Sequence, residues 1–202
     1  IKVWEAVSAQ RQPAPEVLQR QRGVFANRRA ELDALRGALG RVLGERSVQL
    51  VTLVGEPGIG KSRLVYEFAT GSAEDPRPTA WQLGRSLPYG DGVTFWALGE
   101  MVKGQAEILE TDAAGQAGAK LRAAVQTVLT DPAEAGWVES HLRSLVGLGG
   151  EVELGEDRRG EAFAAWRRFL EALAARRPLV LVFEDLHWAD DGLLDFVDHL
   201  AE

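Results

Sequence analysis

The sequence predicts an α/β domain with a mostly parallel sheet and a long helical insertion. Two apolar, β-branched runs of strand length, SVQLVTLVG (47–55) and PLVLVFED (178–185), predict strands, and the first is suited to burial on both faces. A shorter run, TAWQLGRS (79–86), lies between them. Helical patterns separate the three runs. Strands that alternate with helices indicate a parallel sheet, because parallel neighbours need a crossover connection.

Composition narrows the class of protein. The chain has 202 residues, of which 46% are hydrophobic and 26% charged, as expected for one globular domain with at most an appendage. A net charge of −7 argues against a general nucleic-acid-binding surface. The absence of cysteine excludes disulfides and thiolate chemistry, and the three histidines lack ligand spacing. No apolar run approaches the roughly 20 residues that span a bilayer, and the N-terminus is no signal peptide, so we expect a cytoplasmic location.

The N-terminal part predicts an appendage. Residues 1–7 alternate as a strand does, and the segment 8–23 is rich in Pro, Gln and Arg, which is typical of a linker. We therefore assign residues 1–22 to a strand and linker and residues 23–202 to the main domain. The chain lacks an initiator methionine, and we expect it to be cut from a longer protein.

Helices are predicted from apolar spacing. Leu32, Leu35, Leu39 and Val42 share one face of a helix over 28–43. Residues 93–175 are mainly helical except for a loop over 146–160. Asp190 is the expected N-cap of a final helix. The remaining predicted helices cover 61–70, 94–104, 119–129, 132–147, 160–176 and 190–202.

The segment GEPGIGKS (55–62) interrupts the first apolar run with three glycines and fits the pattern G-x-x-x-x-G-K-[ST]. Glycines let phosphate oxygens approach backbone N–H groups, and the helix N-terminus that follows favours anions. Lys61 would reach the β- and γ-phosphates of ATP, and Ser62 would offer its hydroxyl to Mg²⁺. The alternative is a glycine turn followed by Lys-Ser by chance, which the preceding strand and following helix disfavour. The predicted nucleotide-binding residues here are Gly55, Glu56, Pro57, Gly58, Ile59, Gly60, Lys61, Ser62 and Arg63.

Two carboxylates end the third apolar run. Glu184 and Asp185 follow five apolar residues, at the edge where parallel sheets place ligands. One acid would orient Mg²⁺ through water and the other would polarise the attacking water as general base, and the sequence leaves open which does which. Together with Lys61 they are the candidate catalytic residues, and together with Ser62 the candidate metal ligands. The alternative is that both acids merely mark a strand end and a helix start.

With both motifs in place, the chain resembles the STAND-type, Orc1-like AAA ATPase modules of large bacterial regulators. The resemblance implies a P-loop NTPase fold of the ASCE/AAA type, a three-layer α/β/α sandwich. Such modules often follow an adenylate cyclase-type domain or precede a DNA-binding output domain of the LuxR type, so we expect these domains, ATP or ADP, and a second copy as partners. We expect no direct nucleic-acid binding by this segment and no membrane. The matching stretches are 24–32, 51–65, 84–102 and 179–200, and LHWAD (186–190) is specific to the group.

The family's N-terminal box, F-V-G-R-x-x-E-L, contacts adenine and ribose. The resemblance therefore implies nucleotide contacts for Phe25 and Arg28, whereas Ala26 and Asn27 depart from the box. Asn27 can adopt the positive φ that glycine would. The alternative for Arg28 is a solvated arginine in the first turn of a helix.

Three further side chains lie near the motifs in the sequence: Arg85, His187 and Trp188. We expect His187 and Trp188 to pack beneath the P-loop helix and cap the next helix rather than act in catalysis. Arg85 has three possible roles: it faces the nucleotide, faces a partner, or lies on the surface.

The family also carries a fourth strand between the P-loop strand and the strand with the acids, and later a fifth strand and a lid. This chain ends at Glu202, in the helix after the third strand, so we expect the C-terminal part of the domain to be missing. The leading hypothesis is an ATP-binding, ATP-hydrolysing signalling switch. The alternatives are a nucleotide-binding module that does not hydrolyse ATP and a P-loop small-molecule kinase.

Overall fold

The computed structural model describes residues 27–72, 79–88, 95–149 and 156–202, and within them helices and two short strands are present. Helices α1 (Arg29–Glu45) and α2 (Lys61–Ser72) precede strand β1 (Ala80–Arg85). A short 3₁₀ turn (Leu186–Trp188) follows strand β2 (Leu179–Glu184), and helix α7 (Asp191–Ala201) comes last. Between the strands lie α3 (Trp96–Gln105), α4 (Ala114–Val128), α5 (Pro132–Leu145) and α6 (Glu156–Arg176). The strand and linker predicted over 1–22 fall outside the described residues.

The two strands form a parallel pair, as predicted. Ala80 lies opposite Leu179 and Arg85 lies opposite Glu184. The chain passes from β1 to β2 through α3, α4, α5 and α6, which confirms the helical insertion. Because parallel strands end at the same edge, the register brings Arg85 beside the first predicted acid.

The strand predicted over residues 47–55 is wrong for the described part of the chain, where this segment runs without a ladder partner. Val48, Leu50 and Val54 are 61%, 58% and 90% exposed, and only Leu53 packs against a core cluster. A strand exists through hydrogen bonds to a neighbour, and its apolar residues are buried only when such a neighbour covers them. The composition of the segment is typical of a strand inside a sheet. It does not tell whether a neighbouring strand is present to form the hydrogen bonds.

The main hydrophobic core lies among the helices between and after the strands. Phe95, Phe163, Trp166 and Phe196 form edge-on and tilted ring contacts with centroids 4.8–5.9 Å apart. Trp166 also donates its indole N–H to the carbonyl of His141 at 2.9 Å, which satisfies its polar atom inside the core. One face of β2 packs against this core through Leu179, Leu181 and Phe183. The helical core therefore fixes the strand that ends in the two acids.

Helix α3 lies directly against β1. A Cβ added to Gly84 would stand 2.1 Å from the carbonyl oxygen of Ala97, so only glycine permits this approach. The carboxyl end of β1 is thereby held close to the helical core, just before Arg85.

A second, smaller cluster holds α1 against α2. Leu32 and Leu35 of α1 pack with Leu64 and Phe68 of α2. Phe68 meets Trp81 of β1 edge-on, with ring centroids 5.3 Å apart. This aromatic contact connects the helix that follows the glycine loop to the sheet that carries the acids.

The described residues thus show a helix-rich α/β arrangement with a two-stranded parallel sheet. The three-layer sandwich stays a prediction. Within the described ranges, no helix has both the length and the apolar character needed to cross a membrane.

Candidate functional site

The glycine loop ends where α2 begins. Gly58 and Gly60 have φ angles of 80° and 98°, a region that L side chains rarely adopt. The loop residues Gly55 to Ile59 are exposed. Leu64 donates to the carbonyl of Gly60 at 3.0 Å, which starts the helical ladder and leaves the N–H groups of the first turn without intrahelical acceptors. These free N–H groups and the positive end of the helix dipole suit an anion.

Lys61 folds back over its own loop. Its ammonium group donates to the carbonyl oxygens of Gly55 at 2.7 Å and Glu56 at 3.1 Å. The positive charge therefore lies against the loop on which the sequence predicts the phosphates. The next residue, Ser62, is exposed at the start of α2.

Arg63 contacts two residues of its own helix. Its guanidinium pairs with Glu67 at 2.5 Å and lies over the ring of Tyr66, 5.5 Å from the centroid. The contact predicted between Arg63 and the nucleotide stays a prediction.

In the described part of the N-terminal box, Arg28 reaches the glycine loop. Asn27 has φ 57°, which confirms the left-handed conformation expected in place of glycine. Arg28 donates to the carbonyl of Ile59 at 3.0 Å and also pairs with Glu31 at 3.4 Å. Arg28 thus braces the glycine loop, and its contact with the base stays a prediction. Phe25 lies outside the described residues.

The two acids meet an arginine at the carboxyl edge of the sheet. Arg85 Nη2 lies 2.5 Å from Glu184 Oε2, and Arg85 Nε lies 3.5 Å from Asp185 Oδ2. The hydrogen bond with Glu184 is the main cause that raises the pKa of Arg85, opposed by partial desolvation of the guanidinium. The side chain of Glu184 is 9% exposed, whereas those of Asp185 and Arg85 are 50% and 59% exposed. This ion pair with the acids is not among the three roles considered for Arg85, and the 59% exposed side chain agrees with the surface role.

In the structure, the lysine of the glycine loop and the two acids contact different partners. Lys61 is bonded to its own loop, whereas Glu184 and Asp185 are paired with Arg85. In the described part of the chain, no group of three or more His, Cys, Asp or Glu residues is arranged to hold a metal ion. The donors at hand, two carboxylates and the Ser62 hydroxyl, are the hard oxygen ligands that Mg²⁺ prefers. A cation already lies against both carboxylates, in the form of the Arg85 guanidinium, so these oxygens fit a cation site.

The segment after the acids corrects one prediction. His187 and Trp188 lie in the 3₁₀ turn, and Trp188 is 51% exposed, so the expected packing beneath the P-loop helix is wrong. The capping role belongs to Asp190, as predicted, which accepts from Leu193 N–H at 2.9 Å. Its second oxygen accepts from Phe95 N–H at 3.2 Å. Sequence reasoning missed this link, and nothing in the local pattern pointed to a partner 95 residues away.

A glycine-rich loop at a helix N-terminus, with its lysine and with acids after a parallel strand, defines a P-loop nucleotide-binding protein. The family model described as "AAA ATPase domain" matches residues 24–202. The chain belongs to this AAA ATPase domain family.

Comparison with other proteins adds one relative. An uncharacterized protein of Rhizobium meliloti (strain 1021) is 32% identical over 191 residues, which cover 90% of this chain. The chain spans 17% of the length of that relative. No solved structure matches the chain. Membership of the family supports nucleotide binding and ATPase activity in general, with the ATP and Mg²⁺ that such domains use.

Proposed function

We propose that this chain binds Mg-ATP on the loop Gly55–Ser62 and serves as a nucleotide-dependent switch in a larger regulatory protein. The observation that carries the proposal is Lys61, whose ammonium donates hydrogen bonds to the carbonyls of Gly55 and Glu56 in a loop that also contains two glycines with positive φ. Membership of the AAA ATPase family supports the same conclusion.

The contacts of Lys61 favour an exchange of partners. Its ammonium now bonds to neutral carbonyl oxygens. A phosphate oxygen is a charged acceptor, and charge-assisted hydrogen bonds are roughly twice as strong as neutral ones. The loop is exposed, so the exchange needs no unpacking of the core. Arg28 fixes the loop at Ile59 and reduces the freedom that binding would have to remove.

In the hydrolytic form of the proposal, Glu184 and Asp185 act at the far end of the phosphate chain. Mg²⁺, when bound with ATP, would neutralise charge on the phosphates and be held through Ser62 and one of the acids. The other acid would accept a proton from the attacking water. A ligand that contacts both the loop and the acids would change the distance between the α1–α2 cluster and the helical core. In this proposal that movement is the switch.

A second candidate function is nucleotide binding without hydrolysis. The observation in its favour is that both acids are engaged by Arg85 and by no group of the glycine loop. The hydrolytic form predicts steady phosphate release from ATP that disappears in Asp185→Asn. Tight ATP binding with no phosphate release would establish the second candidate instead.

The switch also requires partners, and the proposal includes them. We infer that other domains of the parent protein, of the cyclase or DNA-binding class, and a second copy of the chain receive the nucleotide signal. The 17% share of the Rhizobium relative that this chain spans supports a module within a longer protein.

Binding of a fluorescent ATP analogue to wild type and to Lys61→Ala tests the proposal. Loss of one charged hydrogen-bond donor should weaken binding about tenfold or more. Lys120→Ala is the matched control, because Lys120 likewise donates to a backbone carbonyl, that of Glu107 at 2.9 Å, but lies outside the site. Equal affinity of wild type and Lys61→Ala would overturn the proposal.

A further inference from the structure

Residues 186–190 connect the two acids to helix α7, and the proposed function gives them no role. We propose that Asp190 transmits the position of Asp185 to the start of α3, so that Mg-ATP binding at the acids weakens the hydrogen bond between Asp190 and Phe95. This inference rests on the proposed function, because it names the route by which the state of that site reaches the helices.

The turn after β2 is a short, internally bonded connection. Asp185 has φ 57° and ψ 40°, a left-handed conformation that is unfavourable for most L residues. Trp188 N–H donates to the Asp185 carbonyl at 2.9 Å, and Ala189 N–H donates to the Leu186 carbonyl at 3.0 Å. Because so short a connection with these hydrogen bonds has little slack, we expect a displacement of Asp185 to move Asp190 as well.

Asp190 holds one helix with each of its carboxylate oxygens. Oδ1 accepts from Leu193 N–H at 2.9 Å and caps α7, whereas Oδ2 accepts from Phe95 N–H at 3.2 Å, just before α3. The bond to Phe95 is the longer of the two, and it joins residues 95 positions apart, whereas the cap lies within the local chain. A displacement of Asp190 therefore weakens the bond to Phe95 first and leaves the cap of α7 in place.

Phe95 has a strained backbone that this hydrogen bond helps to hold. Its φ is 64°, which a bulky L residue rarely adopts. Its side chain is buried, and the ring packs edge-on against Trp166 and Phe163 of α6, with centroids 4.8 and 5.9 Å away. When Asp190 releases the N–H, the backbone of Phe95 can relax while the ring stays in the core. The change is therefore confined to the first turn of α3.

Ligand binding supplies the displacement. The proposed function gives Asp185 a place in the Mg-ATP site, and its side chain is 50% exposed. The effect of the ligand on the hydrogen bond and the effect of the hydrogen bond on ligand affinity are equal in size, because the two equilibria are linked. Loss of the bond between Asp190 and Phe95 should therefore strengthen Mg-ATP binding.

Asp190→Asn isolates this hydrogen bond. Asparagine has nearly the shape of aspartate, and its amide oxygen can still cap α7, but its NH₂ group cannot accept from Phe95 N–H. Asp190→Ser is a second variant with the same expectation, because a serine oxygen caps a helix equally well but is only one acceptor group. Circular dichroism verifies that both variants are folded.

Hydrogen exchange of the Phe95 amide, followed by NMR, measures the bond directly. In wild type, saturating Mg-ATP should speed this exchange about two- to tenfold, the factor that corresponds to one hydrogen bond. In Asp190→Asn the exchange should already be fast in the free chain and should not respond to Mg-ATP. The Glu134 amide is the internal control, because it donates to the capping residue Asp131 of α5, outside the proposed site.

Affinity for a fluorescent ATP analogue in the presence of Mg²⁺ distinguishes a coupling role from a structural one. Asp190→Asn and Asp190→Ser should each bind the analogue about two- to tenfold more tightly than wild type. Asp131→Asn is the matched control, because it changes the N-cap of α5 in the same way, and it should bind as wild type does. Unchanged affinity in both Asp190 variants would leave Asp190 with a structural role alone and overturn the inference.

The nucleotide-free chain separates failure of this inference from failure of the proposed function. Absence of ATP binding in wild type would contradict the proposed function, and the connection itself would then be decided without a ligand by Asp185→Ala. Alanine tolerates the left-handed conformation less well than aspartate does. This substitution should speed exchange of the Phe95 amide when Asp190 is intact and have no further effect in Asp190→Asn. An unchanged Phe95 amide in Asp185→Ala would overturn the inference.

Discussion

At the scale of single residues, the glycine loop depends on two backbone conformations. Gly58 and Gly60 adopt φ angles of 80° and 98°, and a Cβ at either position would meet no atom within 4 Å. The requirement for glycine is therefore conformational rather than steric. A substitution at either glycine would therefore strain the backbone of the loop rather than clash with neighbouring atoms.

Gly60→Ala should lower the free energy of unfolding by about 1–2 kcal/mol, the cost of a left-handed conformation for an L residue, and should weaken ATP binding. Urea denaturation measures the first effect. The matched control is Gly136→Ala, at an exposed position inside α5 with nothing within 4 Å, which should raise the free energy of unfolding by about 0.5–1 kcal/mol. The two Gly→Ala substitutions should therefore change the free energy of unfolding in opposite directions. A change in the same direction would contradict the conformational explanation.

The conformation of the glycine loop could be predicted from the sequence, because glycines with positive φ and the helix start that follows them are local features. Its nucleotide contacts stay a prediction. The role of Arg85 could not be predicted, because its partner lies 99 residues away and is set by the register of two strands. From the sequence, Arg85 and Glu184 were each expected at the end of a strand. Their contact follows from the parallel register, which places the two residues opposite each other.

At the scale of secondary-structure elements, Asp190 joins two helices. Its Oδ1 caps α7 through Leu193 N–H, and its Oδ2 accepts from Phe95 N–H immediately before α3. Phe95 itself has φ 64°, so this hydrogen bond helps to hold an unfavourable backbone conformation. The end of the segment with the acids is thereby tied to the helix that covers β1.

Asp190→Ala should therefore cost more than the loss of an ordinary N-cap. Removal of the cap costs about 1 kcal/mol, and the second hydrogen bond adds about 0.5–1.5 kcal/mol. Asp131→Ala is the comparison, because Asp131 caps α5 through Glu134 N–H alone, at 2.7 Å. Thermal denaturation of both variants measures the difference, and an equal loss would mean that the contact with Phe95 contributes nothing.

Elements differed in how well the sequence predicted them. The helices were predicted from apolar residues on one face, since that pattern reflects burial of a helix whose backbone bonds are internal. The segment 47–55 was predicted as a strand from composition, although a strand draws its hydrogen bonds from neighbours. Composition therefore identifies a segment suited to a sheet, and the neighbours decide whether the ladder forms.

At the scale of the whole molecule, the two halves of the candidate site rest on different packing clusters. The helical core supports β2 and its acids, and the α1–α2 cluster supports the glycine loop. Phe68 of α2 meets Trp81 of β1 in an aromatic contact worth about 0.5–1.5 kcal/mol beyond its buried area, which ties the α1–α2 cluster to the sheet.

The central claim is that ATP rests on the backbone of the glycine loop. The most direct measurement is a titration of ¹⁵N-labelled chain with Mg-ATP, followed by the backbone amide resonances. The largest changes should occur at Gly58, Gly60, Lys61 and Ser62, and they should be strongly reduced in Lys61→Ala. Unchanged loop resonances at saturating ATP, or the largest changes at residues remote from α2, would contradict the claim.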